Sequence, residues 1–136
     1  MTTLAQDAQR PFELGTINEL PVIAGDIIYE GAAVGIVSGT GYARPLQAGD
    51  AFAGFAETQA DNAAGAAGDV HVRVRTKGSV EVPVSTLVIT DVGADIYASD
   101  DDTFTKTVGS NSFIGRVSRF VSAGVAIVTF DTLVTS

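Results

Sequence analysis

The sequence of 136 residues contains no cysteine, no tryptophan and a single histidine, His71. Without cysteine there can be no disulfide framework, no thiolate nucleophile and no cysteine-ligated zinc. One histidine also excludes any site built from two imidazoles of the same chain. These absences remove most of the side chains used for metal binding and nucleophilic catalysis. We therefore expect no cofactor and a protein that is not an enzyme.

Positive charge is also scarce, because eight Lys and Arg face sixteen Asp and Glu and give a net charge of −8. Binding a nucleic-acid backbone requires clustered positive charge, so we expect no nucleic-acid partner. The apolar runs are far shorter than the ~18 residues of a membrane helix. The first residues lack the basic start and apolar middle of a signal peptide. We expect no membrane partner, and the lack of cysteine fits a reducing compartment.

The residues that are present favour β-structure. Hydrophobic residues make up 46% of the chain and charged residues 18%, a composition unlike that of disordered sequences. The length of the chain is that of one domain. In residues 70–77, valines alternate with His71, Arg73 and Arg75, a period of two that predicts a strand with one buried face. Eight more short segments are rich in β-branched and aromatic residues, and glycines separate many of them: residues 27–30, 32–37, 51–57, 79–84, 95–98, 104–107, 113–120 and 125–130. The sequence predicts an all-β protein with one small antiparallel domain over residues 21–136, either a β-barrel or sandwich-like.

Residues 1–20 differ from the rest of the chain. They are polar, are interrupted by Pro11, and carry scattered large apolar side chains without a period of 2 or 3.6. We predict an extended N-terminal arm that is ordered only where it lies on a surface. A frayed terminus is the alternative.

The motif Ala-Gly-Asp occurs three times, at residues 24–26, 48–50 and 67–69, each time before or at the start of a predicted strand. Glycine adopts left-handed conformations, and aspartate bonds to nearby backbone amides, so the motif predicts tight turns. Residues 60–68, mostly alanine and glycine, are predicted to form a mobile surface loop.

Candidate chemistry is sparse. His71 lies on the polar face of its strand, and the sequence has no Gly-x-Ser-x-Gly elbow, so we interpret it as an exposed strand residue. Asp100, Asp101 and Asp102 predict an acidic hairpin tip. Such carboxylates could attract calcium, but no EF-hand pattern accompanies them, and whether the tip binds a cation stays open.

The few positive residues are grouped. Arg73, Arg75 and Lys77 are predicted to share one strand face, where they either pair with carboxylates of neighbouring strands or form a docking patch for an acidic partner. Arg116 and Arg119 are predicted to lie on opposite faces of a later strand because their spacing is odd.

Five segments, in order, carry a family resemblance: residues 23–37, 54–57, 69–83, 93–97 and 113–117. The first resembles the opening of the small capsid decoration, or cement, proteins of tailed bacteriophages. Residues 69–83 are similar to their central hairpin, and the other three segments resemble further strands. The resemblance covers about residues 22–130.

The resemblance implies a structural virion protein that binds the outer surface of the expanded capsid and stabilises it. Its partner would be the major capsid protein, on which such proteins commonly cluster as homotrimers. It would be made in the host bacterial cytoplasm and reside on the capsid exterior. An arm of related proteins orders on the capsid, so the candidate capsid-binding residues are Phe12, Leu14 and Ile17, together with Arg73 and Arg75.

Two other functions fit a small β-rich chain. A phage tail-tube or head–tail joining subunit usually has longer hairpins than those predicted here. A β-sandwich carbohydrate-binding module usually presents aromatic side chains to its sugar, whereas this chain has no Trp and three Tyr.

Overall fold

The computed structural model describes residues 5–7, 9–10 and 13–132, and the predicted all-β class is confirmed in this part of the chain. It contains twelve strands and one 3-10 turn, Ile89–Asp91. The strands are β1 Ile17–Pro21, β2 Asp26–Ile28, β3 Ala33–Ile36, β4 Ala43–Pro45, β5 Ala51–Ala56, β6 Ala60–Asn62, β7 His71–Arg75, β8 Lys77–Pro83, β9 Asp95–Asp100, β10 Thr103–Thr105, β11 Ser112–Ser122 and β12 Val125–Asp131.

The strands form two five-stranded sheets and one small two-stranded sheet. The first sheet has the order β1-β7-β5-β3-β4, the second has the order β10-β9-β11-β12-β8, and β2 pairs with β6. All the pairings between these strands are antiparallel. A parallel bridge between Val22 and Ala43 links the two edges of the first sheet and curls it. The domain is sandwich-like, without a closed barrel in the described residues.

The first sheet lies between two hydrophobic cores because successive side chains of its strands point to opposite faces. On β3, Ala33 belongs to the larger core and Val34 to the smaller one. On β5, Phe55 likewise belongs to the larger core and Ala56 to the smaller one. The larger core is shared with the second sheet and contains an edge-to-face pair of Phe55 and Phe130, with ring centroids 5.0 Å apart.

The strand predicted for residues 70–77 is divided by Thr76, which is 4% exposed. The N–H of Thr76 donates to the carbonyl of Thr16 at 3.0 Å, and its own carbonyl accepts from the N–H of Thr132 at 2.8 Å. β7 therefore ends in the first sheet and β8 begins in the second. The prediction that Lys77 shares a strand face with Arg73 and Arg75 is wrong, because Lys77 opens a strand of the other sheet.

The N-terminal arm joins the domain at the same junction. β1 contains Ile17–Pro21 and pairs with β7, so the arm predicted for residues 1–20 shares residues 17–20 with the first sheet. The described residues before Gly15 are exposed.

The three Ala-Gly-Asp motifs form the predicted turns. Their glycines have positive φ values of 75°, 92° and 86° at Gly25, Gly49 and Gly68. Each aspartate accepts a backbone N–H close in sequence, as in the 3.0 Å bond from Gln47 to Asp50.

Residues 60–68, which were predicted to form a surface loop, are partly a strand and are anchored by a buried side chain. β6 occupies the first three of them, and Asn62 is 1% exposed. The Nδ2 group of Asn62 donates to three carbonyls, those of Val22 at 3.3 Å, Ile23 at 2.9 Å and Ala66 at 3.0 Å. This side chain ties the segment to the chain that follows β1.

Candidate interaction surface

The outer edge of the first sheet brings several predicted docking residues together. The β1–β7 register places Ile17 directly opposite Arg75, and Glu19 opposite Arg73. Leu14, just before β1, is 93% exposed. We call Leu14, Ile17, Glu19, Arg73 and Arg75 the arm-base surface. Phe12, the remaining candidate, lies outside the described residues.

Both arginines of the arm-base surface are paired with carboxylates. Arg73 contacts Glu57 at 3.3 Å and Glu19 at 3.6 Å, and Arg75 contacts Glu57 at 3.4 Å. The predicted pairing with neighbouring carboxylates is therefore confirmed. Two arginines and two glutamates leave this group without net charge. Since the arginine side chains are at least half exposed, each pair contributes only about 0–1 kcal/mol.

Glu19 and Glu57 were not identified from the sequence. Glu57 is the last residue of the resemblance segment 54–57, which gives it no ion-pairing role, and Glu19 belongs to no motif and lies 54 positions from Arg73 in the chain. Only the register of β1 against β7 brings it opposite, and that register depends on where β1 begins.

His71 is exposed on β7, as predicted, and lies opposite Pro21. The alternation of the strand explains this position, because Val72 and Val74 take the buried face.

The acidic tip is also where the sequence predicted it, between β9 and β10. The N–H of Asp102 donates to Oδ1 of Asp100 at 2.9 Å, which closes the turn. Burial is the main cause that raises the pKa of Asp101, and the charge of Asp100 raises it further. Among the described residues, no group of three or more His, Cys, Asp or Glu side chains is arranged to hold a metal ion.

A second exposed apolar area surrounds the 3-10 turn. Val88, Ile89 and Val92 are 50%, 65% and 51% exposed, and β11 packs beside this turn. We call these three residues the 3-10 patch. The sequence does not predict this patch, because an apolar run of this kind is equally typical of a buried strand.

Comparison with known proteins gives no match, whether to family models, to curated proteins or to solved structures. In the part of the chain that the structure describes, no helix is long and apolar enough to span a membrane.

Proposed function

We propose that this chain is a structural virion protein that binds the outer surface of an expanded tailed-phage capsid and stabilises it. Its partner is the major capsid protein, and it acts as a homotrimer on the capsid exterior. The five segments of family resemblance, which occur in the same order along the chain as in that family, support this proposal. The antiparallel β-domain agrees with the fold that the resemblance implies.

The structural observation that carries the proposal is the exposure of Leu14. A leucine side chain that is 93% exposed at the base of the arm is available for burial against a partner. Complete burial of such a side chain is worth about 1.5–3 kcal/mol. Three arms in one trimer would multiply this modest contact through effective concentration.

The edge of the first sheet offers a second kind of contact. β1 pairs with β7 on one side and is the last strand of its sheet in the described residues, where the bridge from Val22 to Ala43 on β4 touches only the chain that follows β1. An outer strand can accept an extended segment of a partner through its backbone groups. Ile17 lies on this strand and Leu14 precedes it, so both apolar candidates adjoin the same edge.

The carbohydrate-binding alternative receives less support from the surface. Among the large hydrophobic side chains that are exposed in the described residues, Tyr29 at 59% is the single aromatic one. Sugar-binding faces usually combine several aromatic rings. Tyr97 and Phe113, in contrast, are half-buried and stack edge-to-face at 5.8 Å.

Co-sedimentation with undecorated capsids tests the proposal. We expect saturable binding to expanded capsids and none to unexpanded ones, with three copies at each threefold position. Failure to bind either form would refute the capsid proposal. Rings in negative stain would then indicate a tail-tube subunit, and a signal on a glycan array would indicate a carbohydrate-binding module.

Two variants test the contact itself. Leu14→Asp should weaken binding by about tenfold or more, which corresponds to about 1.4 kcal/mol. Ile89→Asp is the matched control, since it alters an apolar side chain of the 3-10 patch that is 65% exposed. If Ile89→Asp abolished binding while Leu14→Asp had no effect, the capsid would contact the 3-10 patch and not the arm. A deletion of residues 1–14 keeps β1 intact, whereas a deletion of residues 1–20 would remove most of it.

A further inference from the structure

The second sheet ends in an outer strand, β8. This strand pairs with β12 along all seven of its residues, and no strand lies on its other side in the described part of the chain. Two residues after β8, the N–H of Ser85 donates to the carbonyl of Phe104 on β10 at 3.1 Å. Residues 77–83 come before this contact, and we call their side away from β12 the β8 edge.

Alternate residues of β8 direct their backbone groups into the β8 edge. The N–H and C=O of an extended residue point to the same side, and successive residues point to opposite sides. The carbonyl of Thr76 and the N–H of Val84, one at each end of β8, both bond to the chain that flanks β12. Even-numbered residues therefore face β12, and odd-numbered residues face the edge. The residues that offer both an N–H and a C=O there are Lys77, Ser79 and Glu81.

The β8 edge is accessible from solvent. Gly78 is exposed, and because glycine has no side chain, the exposed surface is that of the backbone itself. The side chains of Lys77, Ser79 and Glu81 are exposed as well. A row of unpaired backbone groups on an accessible strand is a template on which another strand can pair.

The charges of the β8 edge are self-complementary. In an antiparallel pair of two β8 strands related by a two-fold axis at Ser79, each Ser79 lies opposite its own copy. Lys77 of each strand then lies opposite Glu81 of the other, so two oppositely charged pairs form. All three residue pairs join groups that face the edge, and since each pair exchanges two hydrogen bonds, the ladder has about six.

The opposite face of the strand fits the same register, in which Gly78 lies opposite Val80 of the second copy. A Cβ atom at Gly78 would meet nothing within 4 Å, so there is room for the valine side chain. Val80 is only half-buried and packs against the larger core, so its apolar surface gains cover in the pair. The ladder stops before Pro83, which has no N–H to donate.

We propose that two copies of this chain pair through their β8 edges, antiparallel and centred on Ser79, and so join two five-stranded sheets into one of ten strands. The β8 edge belongs to the second sheet, whereas the arm-base surface belongs to the first. The dimer is expected of the purified protein in solution, and the proposed homotrimer is expected on the capsid. This inference does not depend on the proposed capsid function.

Disulfide trapping tests the position of the two-fold axis, and the lack of native cysteine gives a clean background. Ser79→Cys places the two thiols on opposite residues, whose Cα atoms would be about 5.5 Å apart and within disulfide reach. Thr129→Cys is the matched control, because Thr129 is exposed beside Ser79, with the two hydroxyls 3.0 Å apart. Its two copies are separated by three strand spacings, or about 14 Å.

We expect Ser79→Cys to form a disulfide-linked dimer at least about tenfold faster than Thr129→Cys, because pairing holds only the first two thiols within reach. Equal rates would mean that the thiols meet by random collision and would overturn the proposal. Faster linkage of Thr129→Cys would place the contact on the face of the sheet and would overturn it too.

A charge exchange tests the pairing of Lys77 with Glu81 without relying on cysteine. Lys77→Glu makes both edge positions negative, and Glu81→Lys makes both positive, so each variant alone brings like charges together. Dimerisation of each should weaken by about tenfold. When the two variants are mixed, each negative strand meets a positive one, and dimerisation should return to within about threefold of the native protein. Sedimentation equilibrium at about 0.15 M salt, which screens the net charge, measures all these species.

Two further variants make the same charge changes at exposed positions outside β8, namely Arg119→Glu and Glu30→Lys. They should dimerise like the native protein, and mixing them should change nothing. Equal weakening by these controls, or a charge-exchange mixture as weak as its components, would overturn the pairing. A native protein that stays monomeric up to about 1 mM, or that forms trimers in solution, would overturn the β8 dimer itself.

Discussion

Replacement of Asp50 by alanine should test how much one ion pair contributes to the junction of the two sheets. The carboxylate of Asp50 accepts bonds from Nε and Nη2 of Arg44, at 2.9 and 2.7 Å, and from the N–H of Gln47 at 3.0 Å. The side chains of Arg44 and Asp50 are 23% and 6% exposed. The carbonyl of the same aspartate accepts from the hydroxyl of Ser112 on the second sheet at 2.6 Å.

The magnitude follows from burial. Removing one partner of a fully buried ion pair costs about 3–5 kcal/mol, because the other charge stays behind uncompensated. Arg44 is partly exposed, so we expect Asp50→Ala to lower the free energy of unfolding by about 2–3 kcal/mol. At about 3–5 °C per kcal/mol for a domain of this size, the melting temperature should fall by about 6–15 °C.

The destabilisation caused by Asp50→Ala should depend on pH, and the pKa of Asp50 determines the direction of this dependence. Burial alone raises the pKa of Asp50, but the hydrogen bonds from Arg44 and Gln47 lower it more, and the net result lies below the ordinary value. A carboxylate with a lowered pKa in the folded protein stabilises it above the unfolded-state pKa of about 4. That contribution is lost as the pH falls through the lower pKa of the folded state.

Thermal and urea unfolding followed by circular dichroism at pH 7 and at pH 2.5 measure the effect. Asp102→Ala is the matched control, because Asp102 is exposed at the acidic tip, and it should change stability by less than about 0.5 kcal/mol. The difference between Asp50→Ala and the native protein should shrink at the lower pH. A difference below 0.5 kcal/mol at pH 7, or one that stayed constant down to pH 2.5, would refute the reasoning.

Three further substitutions have expected outcomes. Gly115→Ala would place a Cβ atom 2.1 Å from the carbonyl oxygen of Thr129. The free energy of unfolding measured with urea should therefore fall by about 1–3 kcal/mol or more. A variant as stable as the native protein would contradict the close packing of β11 on β12. Asn62→Asp would turn a carboxylate towards three carbonyls and should lower the unfolding free energy by about 3 kcal/mol at pH 7; an unchanged melting temperature would exclude this hydrogen-bond arrangement. Asp101→Asn should raise the melting temperature at pH 7 but not at pH 3. The pKa of Asp101 is raised in the folded protein, so its ionised carboxylate disfavours the folded state above that pKa. A lower melting temperature of the variant at pH 7 would exclude burial as the cause of the raised pKa.

The features that the sequence predicted well are those that depend on local order. The alternation around Val72 and Val74 requires no knowledge of distant residues, and both side chains are fully buried. The Ala-Gly-Asp turns are equally local, since glycine and aspartate act within a few residues.

The features that the sequence did not predict depend on register. Arg116 and Arg119 were expected on opposite faces, yet they lie opposite Thr129 and Ile127, which share a face. A β-bulge between Val117 and Arg119 adds the extra residue that reverses the alternation. The division at Thr76 has the same origin, because nothing in a continuous alternating run marks where a strand changes sheets.

The division of the chain into two sheets at Thr76 also sets an order for folding during synthesis. All the strands of the first sheet lie within residues 17–75, and all those of the second lie within residues 77–131. At about 5–20 residues per second, the ribosome completes the first sheet about 3–11 s before β12 emerges. Throughout that interval Phe55 and Leu46, which belong to the shared core, lack the complete second sheet that covers them in the folded domain. The nascent chain therefore presents a transient apolar face, and a chaperone that binds during translation would meet this surface first.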